Sequence, residues 1–83
     1  MNIVTLYTTD TCPYCRNAKA LLASKGVAIE EINIQREPAK FDEMLSRSRR
    51  RSVPQIFIGD THIGGFEDLA RLDRQGGLMS MLA

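Results

Sequence analysis

Two cysteines stand three residues apart in Cys12-Pro13-Tyr14-Cys15, and they are the chain's only thiols. On the first turn of a helix that spacing puts both sulfurs on one side and within disulfide reach. Three chemistries use such a pair: reversible disulfide exchange, half of a tetrahedral zinc site, or simple packing. Zinc needs four ligands, and the chain holds no second cysteine pair and a single histidine, His62, so no metal is expected here. Exchange needs a thiolate that attacks, a second thiol that resolves the product, and exposure of the first sulfur. Cys12 falls just before a predicted helix, at the positive end of its dipole beside unpaired backbone N–H groups, where negative charge on sulfur is stabilised. Cys12 is therefore the expected nucleophile, and Cys15, one turn further in, the expected resolving thiol; together they form the expected redox-active disulfide.

Two further stretches carry chemistry. Ser52-Val53-Pro54 has a plain reading, a proline at the start of a strand. It has a second: a cis bond that turns the loop toward Cys12 and exposes the N–H and C=O of Val53, with which an extended thiol peptide could pair as a short strand. Local sequence leaves both open. In Gly64-Gly65-Phe66-Glu67-Asp68 the glycines make a turn, and the acidic residues suit the N-terminus of the following helix. The same residues can host a zwitterion, since glycines admit a ligand to the backbone and free N–H groups with carboxylates can hold an amino-acid end.

The elements that must position these residues read as follows. Val4 and Leu6 alternate with more polar neighbours, predicting a first strand over about 2–7. Pro13 suits a first helical turn, the helix runs to about Lys25 with Ala18, Leu21 and Leu22 at helical spacing, and Gly26 ends it. Val27–Ile34 predicts a second strand whose alternation slips at Glu30-Glu31, through a bulge or a late start. Pro38 opens a second helix through about Arg49, with Phe41, Met44 and Leu45 on its apolar face. Val53–Ile58 predicts a third strand, Gly59-Asp60 a tight turn, and Thr61–Ile63 a fourth strand, forming a hairpin. Phe66, Leu69 and Leu72 give a third helix its buried stripe, and Gly76-Gly77 closes it before an apolar tail, Leu78–Leu82. This βαβαββα order implies an α/β domain, a mixed four-stranded sheet with helices on both faces, and resembles the thioredoxin-like architecture.

A chain of 83 residues accommodates one domain, here 1–83, with most of its 43% hydrophobic residues committed to one core. Eleven basic against ten acidic side chains give a net charge of +1, which creates no field to gather nucleic acid or an anionic membrane, and neither is an expected partner. The cluster Arg47, Arg49, Arg50 and Arg51 reads as a solvated helix end. The N-terminal residues read as a strand rather than a signal peptide, and no stretch approaches the length of a membrane span, so the expected location is the cytoplasm. Thiols are kept reduced there, which argues against a structural disulfide.

Taken together, Tyr7-Thr8 ahead of Thr11-Cys12-Pro13-Tyr14-Cys15, then Ser52–Ile58, then Ile63-Gly64-Gly65 with Asp68-Leu69, resemble a bacterial dithiol glutaredoxin of the C-P-Y-C class over nearly the whole chain. The resemblance implies that Cys12 attacks glutathione mixed disulfides alone and protein disulfides together with Cys15, as in donating electrons to reductases. It implies a cis Pro54, backbone pairing of glutathione with Val53, a groove wall from Tyr14, and a γ-glutamyl site at Gly65, Glu67 and Asp68, with Ser52 and Phe66 alongside. Glutathione is then a co-substrate, no cofactor is tightly bound, the partners are glutathionylated or disulfide-bonded proteins, and the expected state is a monomer.

The chain departs from the family pattern at four places. Thr9 stands where many members carry lysine, a role an arginine of residues 49–51 could take over. Ser52 replaces the threonine of T-V-P, arginine replaces a glycine often found ahead of that loop, and Phe66 replaces a further cysteine of some relatives. Two other functions compete. A redoxin reduced by thioredoxin reductase usually has a different dipeptide between its cysteines and lacks a glutathione groove. An iron–sulfur scaffold, bridged in a dimer by Cys12 and glutathione, is typical of monothiol C-G-F-S relatives, and Pro13 disfavours it.

Overall fold

The computed structural model describes residues 3–82. Its order is β1 (Val4–Thr8), α1 (Pro13–Ser24), β2 (Ile29–Asn33), α2 (Ala39–Ser48), β3 (Gln55–Ile58), β4 (Thr61–Gly64), α3 (Phe66–Arg74) and α4 (Leu78–Leu82). The strands form one mixed sheet in the order β2-β1-β3-β4, with β1 parallel to β2 and antiparallel to β3, and β3 antiparallel to β4. Residue 2 of the predicted first strand lies outside the described residues. Among the described residues no helix is long and apolar enough to cross a membrane.

Because side chains alternate along a strand, the two central strands serve two cores. Val4, Leu6, Ile56 and Ile58 face α1, α3 and α4, packing on Ala18, Leu22, Leu69, Leu78 and Leu82. Tyr7 and Phe57 face α2 and pack on Met44 and Ile32. The slip at Glu30-Glu31 follows from this double service. Val27 and Ile29 join the α1 side and Ile32 and Ile34 the α2 side, so the apolar positions change face partway along the edge strand. β2 starts late and pairs with β1 in continuous register from Val4↔Ile29 to Thr8↔Asn33. Glu31, on the α1 side of the sheet, reaches Lys19 of that helix at 3.2 Å. The irregularity lies elsewhere, between Ile56 and Phe57 where β3 meets β4.

One boundary differs from expectation, while the second helix keeps its expected ends and the tail is helical. β3 begins at Gln55 rather than Val53, since Pro54 has no N–H to give a ladder; the Val53-Pro54 bond is cis, the second of the two readings of this motif. The second helix is bounded by Pro38 as N-cap and by Arg49, whose φ of 61° ends it. The apolar tail is a short helix, α4, which buries Leu78 and Leu82.

Candidate active site

The site grows from the junction of β1 and α1. Cys12 is the N-cap of α1, in an extended conformation (φ −94°, ψ 110°), with Pro13 at the first helical position where its missing N–H costs nothing. The sulfur of Cys12 takes the place usually held by a serine or aspartate oxygen: Cys15 N–H donates to Cys12 Sγ at 3.1 Å. On its other side the same sulfur lies 3.7 Å from the carbonyl oxygen of Val53. Both thiols are free; Cys12 is half-buried and Cys15 only 1% exposed.

Burial first, and the hydrogen bond with Cys12 second, push the Cys15 thiol up from 9.0 to about 12, against an opposing backbone hydrogen bond from Thr9. The fold thus stabilises the protonated thiol. That contribution is whole below about pH 9, where the unfolded chain also keeps its proton, and is lost as pH rises toward about 12. The reduced protein is therefore expected to lose thermal stability above pH 9 more steeply than its Cys15→Ser variant in calorimetric scans; parallel curves would contradict the assignment.

Three separate segments close a groove of about 280 Å³ beside Cys12. Tyr14 forms one wall; it is 57% exposed and its ring stacks on Phe66, centroids 6.3 Å apart. The loop Ser52-Val53-Pro54 forms the second, and the N-terminus of α3 from Gly65 to Asp68 the third. A Cβ on Gly65 would already touch the Pro54 carbonyl, at 3.6 Å, so loop and helix meet in contact. Every residue expected at a ligand site from the sequence lines this groove, and the Cys12 sulfur lies against the carbonyl of Val53 in its wall.

Asp68 organises the third wall. Its Oδ2 accepts the Gly65 N–H at 2.9 Å and faces Arg50 Nη1 at 3.2 Å, while Oδ1 faces Arg71 at 3.6 Å. The hydrogen bond from Gly65 and the nearby Arg50 hold its carboxyl below the usual range. Glu67 is exposed on the first turn of the same helix. The arginine cluster is thus more than a solvated helix end. Arg47 lies over the Phe57 ring at 4.0 Å and donates to the Tyr7 hydroxyl at 3.0 Å, and Arg50 bridges to Asp68.

The sequence profile of the glutaredoxins matches residues 4–63. Glutaredoxin 3 of Escherichia coli (strain K12) is 56% identical over 79 residues, covering 95% of each chain. The chain belongs to the glutaredoxin family.

This glutaredoxin is also similar to the solution structure of a glutaredoxin from Brucella melitensis, with TM-score 0.86, 49% identity, and 99% of this chain and 89% of that one covered. It is similar to a buckwheat glutaredoxin–glutathione complex, with TM-score 0.89, 31% identity, and 98% and 76% covered. Glutaredoxins are thiol–disulfide oxidoreductases, and a half-exposed thiol capping a helix beside a buried partner is the arrangement that chemistry requires. Among the described residues, no group of three or more His, Cys, Asp or Glu side chains is placed to hold a metal ion.

Sequence reasoning missed the residues behind the groove. On sequence both Gln55 and His62 are strand residues with no part in the groove; in the structure their side chains bond to each other, and Gln55 also bonds Ser52 of the cis-proline loop. A polar residue directly after Pro54, in an otherwise apolar strand, was the available signal.

Proposed function

We propose that this glutaredoxin reduces glutathione mixed disulfides through Cys12 and protein disulfides through Cys12 with Cys15, using glutathione as co-substrate and no tightly bound cofactor. The observation that carries the reading is the groove in which the three motif segments meet beside the Cys12 sulfur. The likeness to a glutathione complex supports the choice of tripeptide. In the first step the Cys12 thiolate attacks the glutathione sulfur of a mixed disulfide and the substrate thiol leaves, taking up a proton. A second glutathione thiolate then attacks the glutathione sulfur bonded to Cys12, which releases glutathione disulfide and restores the Cys12 thiolate. With a protein disulfide, Cys15 gives up its proton and displaces the substrate from Cys12, leaving a Cys12–Cys15 disulfide that glutathione reduces.

Val53 N–H and C=O pair with the extended cysteinyl unit, Tyr14 and Phe66 cover it, and Ser52 and Pro54 shape the loop. Gly65, Glu67 and Asp68 receive the γ-glutamyl end, whose carboxylate suits the N-terminus of α3 and whose ammonium suits the acidic side chains. The partners are glutathione and glutathionylated or disulfide-bonded proteins, and the chain acts as a cytoplasmic monomer. Hydroxyethyl disulfide reduction coupled to NADPH tests this. NADPH consumption is expected with glutathione and glutathione reductase; consumption with thioredoxin reductase alone, at an equal rate, would contradict the reading.

A further inference from the structure

Gln55 opens β3 fully buried, at 0% exposure, and its amide is committed on both ends. Nε2 donates to the Ser52 carbonyl at 2.9 Å and faces the Ser52 hydroxyl at 3.3 Å. Oε1 lies 2.8 Å from Nε2 of His62 on β4. A carbonyl oxygen only accepts, so the amide nitrogen faces Ser52 and the amide oxygen faces the imidazole; His62 Nε2 therefore carries the proton and donates. The imidazole is itself seated, tilted by 32° against the Phe57 ring with centroids 4.8 Å apart. A line of contacts thus runs from β4 through β3 to the residue preceding Val53.

Residues 49–54 belong to no strand or helix, and at two points side chains bond to their backbone. Upstream, Ser48 Oγ accepts the Arg50 N–H at 3.0 Å and faces the Arg50 carbonyl at 3.2 Å. Downstream, Gln55 grips Ser52. Val53, the residue proposed to pair with glutathione and whose carbonyl faces Cys12, hangs directly beyond the second grip.

We propose that Gln55 and His62 are positioning residues for substrate: from behind the groove, Gln55 sets the direction of the Ser52-Val53 backbone and His62 locks the Gln55 amide in the orientation this requires. Neither side chain lines the groove. The proposal rests on the reading of glutathione bound against Val53.

Steady-state kinetics with the mixed disulfide of glutathione and 2-mercaptoethanol test it, alongside the rate of Cys12 alkylation by iodoacetamide, a small reagent that needs the capped sulfur and makes no strand-like pairing with Val53. Gln55→Leu is expected to raise KM about tenfold, the worth of one lost hydrogen bond, with kcat reduced less than about threefold. Its alkylation rate stays within about twofold of the original, because the helix and Cys12 are intact. His62→Phe raises KM about threefold, and His62→Gln, which keeps an N–H donor, recovers most of that. Adding His62→Phe to Gln55→Leu brings no further rise, since the two act through one contact. Unchanged KM in Gln55→Leu, additive effects in the double variant, or a parallel fall in alkylation would overturn the proposal. Should Gln55→Leu not fold, equal KM for His62→Phe and His62→Gln would overturn it alone. Failure of the underlying reading is distinct: the unaltered protein would then show no saturable, glutathione-dependent rate at all.

Discussion

Cys12→Ser is expected to abolish reduction of both mixed disulfides and protein disulfides, by at least about 10³-fold, whereas Cys15→Ser keeps the first activity and loses the second. The asymmetry follows from where one helical turn puts each sulfur. Cys12 caps α1 with its sulfur half-exposed beside the groove, and Cys15 is 1% exposed behind it. Burial, the largest cause of its raised pKa, persists without Cys12 and keeps the Cys15 sulfur both protonated and shielded, so it does not replace a missing Cys12 as nucleophile. It becomes competent once Cys12 has captured a protein substrate, because the target sulfur is then a neighbour and the intramolecular attack has a high effective concentration. Glutathionyl substrates need no such step, since free glutathione resolves them. Parallel assays of the two variants on both substrate types check this; Cys12→Ser activity on either substrate, or loss of both in Cys15→Ser, would contradict it.

The second large effect is expected at Gly64. Its φ of 119° lies where side chains are rarely accommodated, and a Cβ there would collide with the Asp68 carboxylate, whose Cγ is 2.8 Å from the ideal Cβ position. Asp68 cannot yield without releasing the Gly65 N–H that it caps. Gly64→Ala therefore combines backbone strain with loss of a helix cap, about 3 kcal/mol in all. For a domain of this size that lowers Tm by more than about 10 °C. It also opens the third wall of the groove, so KM for glutathionyl substrates rises. Gly76 provides the comparison: its φ is 80°, but nothing lies within 4 Å of an added Cβ. Gly76→Ala should cost only about 1 kcal/mol and leave KM alone. Thermal melts and kinetics of the pair check this, and equal destabilisation would refute the steric argument.

Much of this was readable from residue types and spacing. Pro13 at the start of α1, the hairpin at Gly59-Asp60 and the alternation of Val4 and Leu6 are local signals, and local signals survive folding. The groove was legible because its parts are backbone-determined motifs, and the topology β2-β1-β3-β4 leaves them no other place to meet. What escaped were relations between distant residues. At Glu30-Glu31 the choice between a bulge and a late start stayed open because a strand at the sheet edge feeds two cores in turn; the late start is the one observed. Val53 reads as strand from its β-branching, whereas β3 begins at Gln55; the cis bond to Pro54 was among the expectations and is present. Arg50 meeting Asp68, and Gln55 meeting His62 and Ser52, are long-range or buried polar contacts without a periodic signature.

One sulfur, at the helix N-terminus, is accessible and is expected to react, while its neighbour is buried and protonated. Brief treatment of the reduced native protein with iodoacetamide at pH 7, followed by peptide mass mapping, tests it directly. A single carbamidomethyl group confined to Cys12 is the predicted result. Equal or faster labelling of Cys15 would contradict the account.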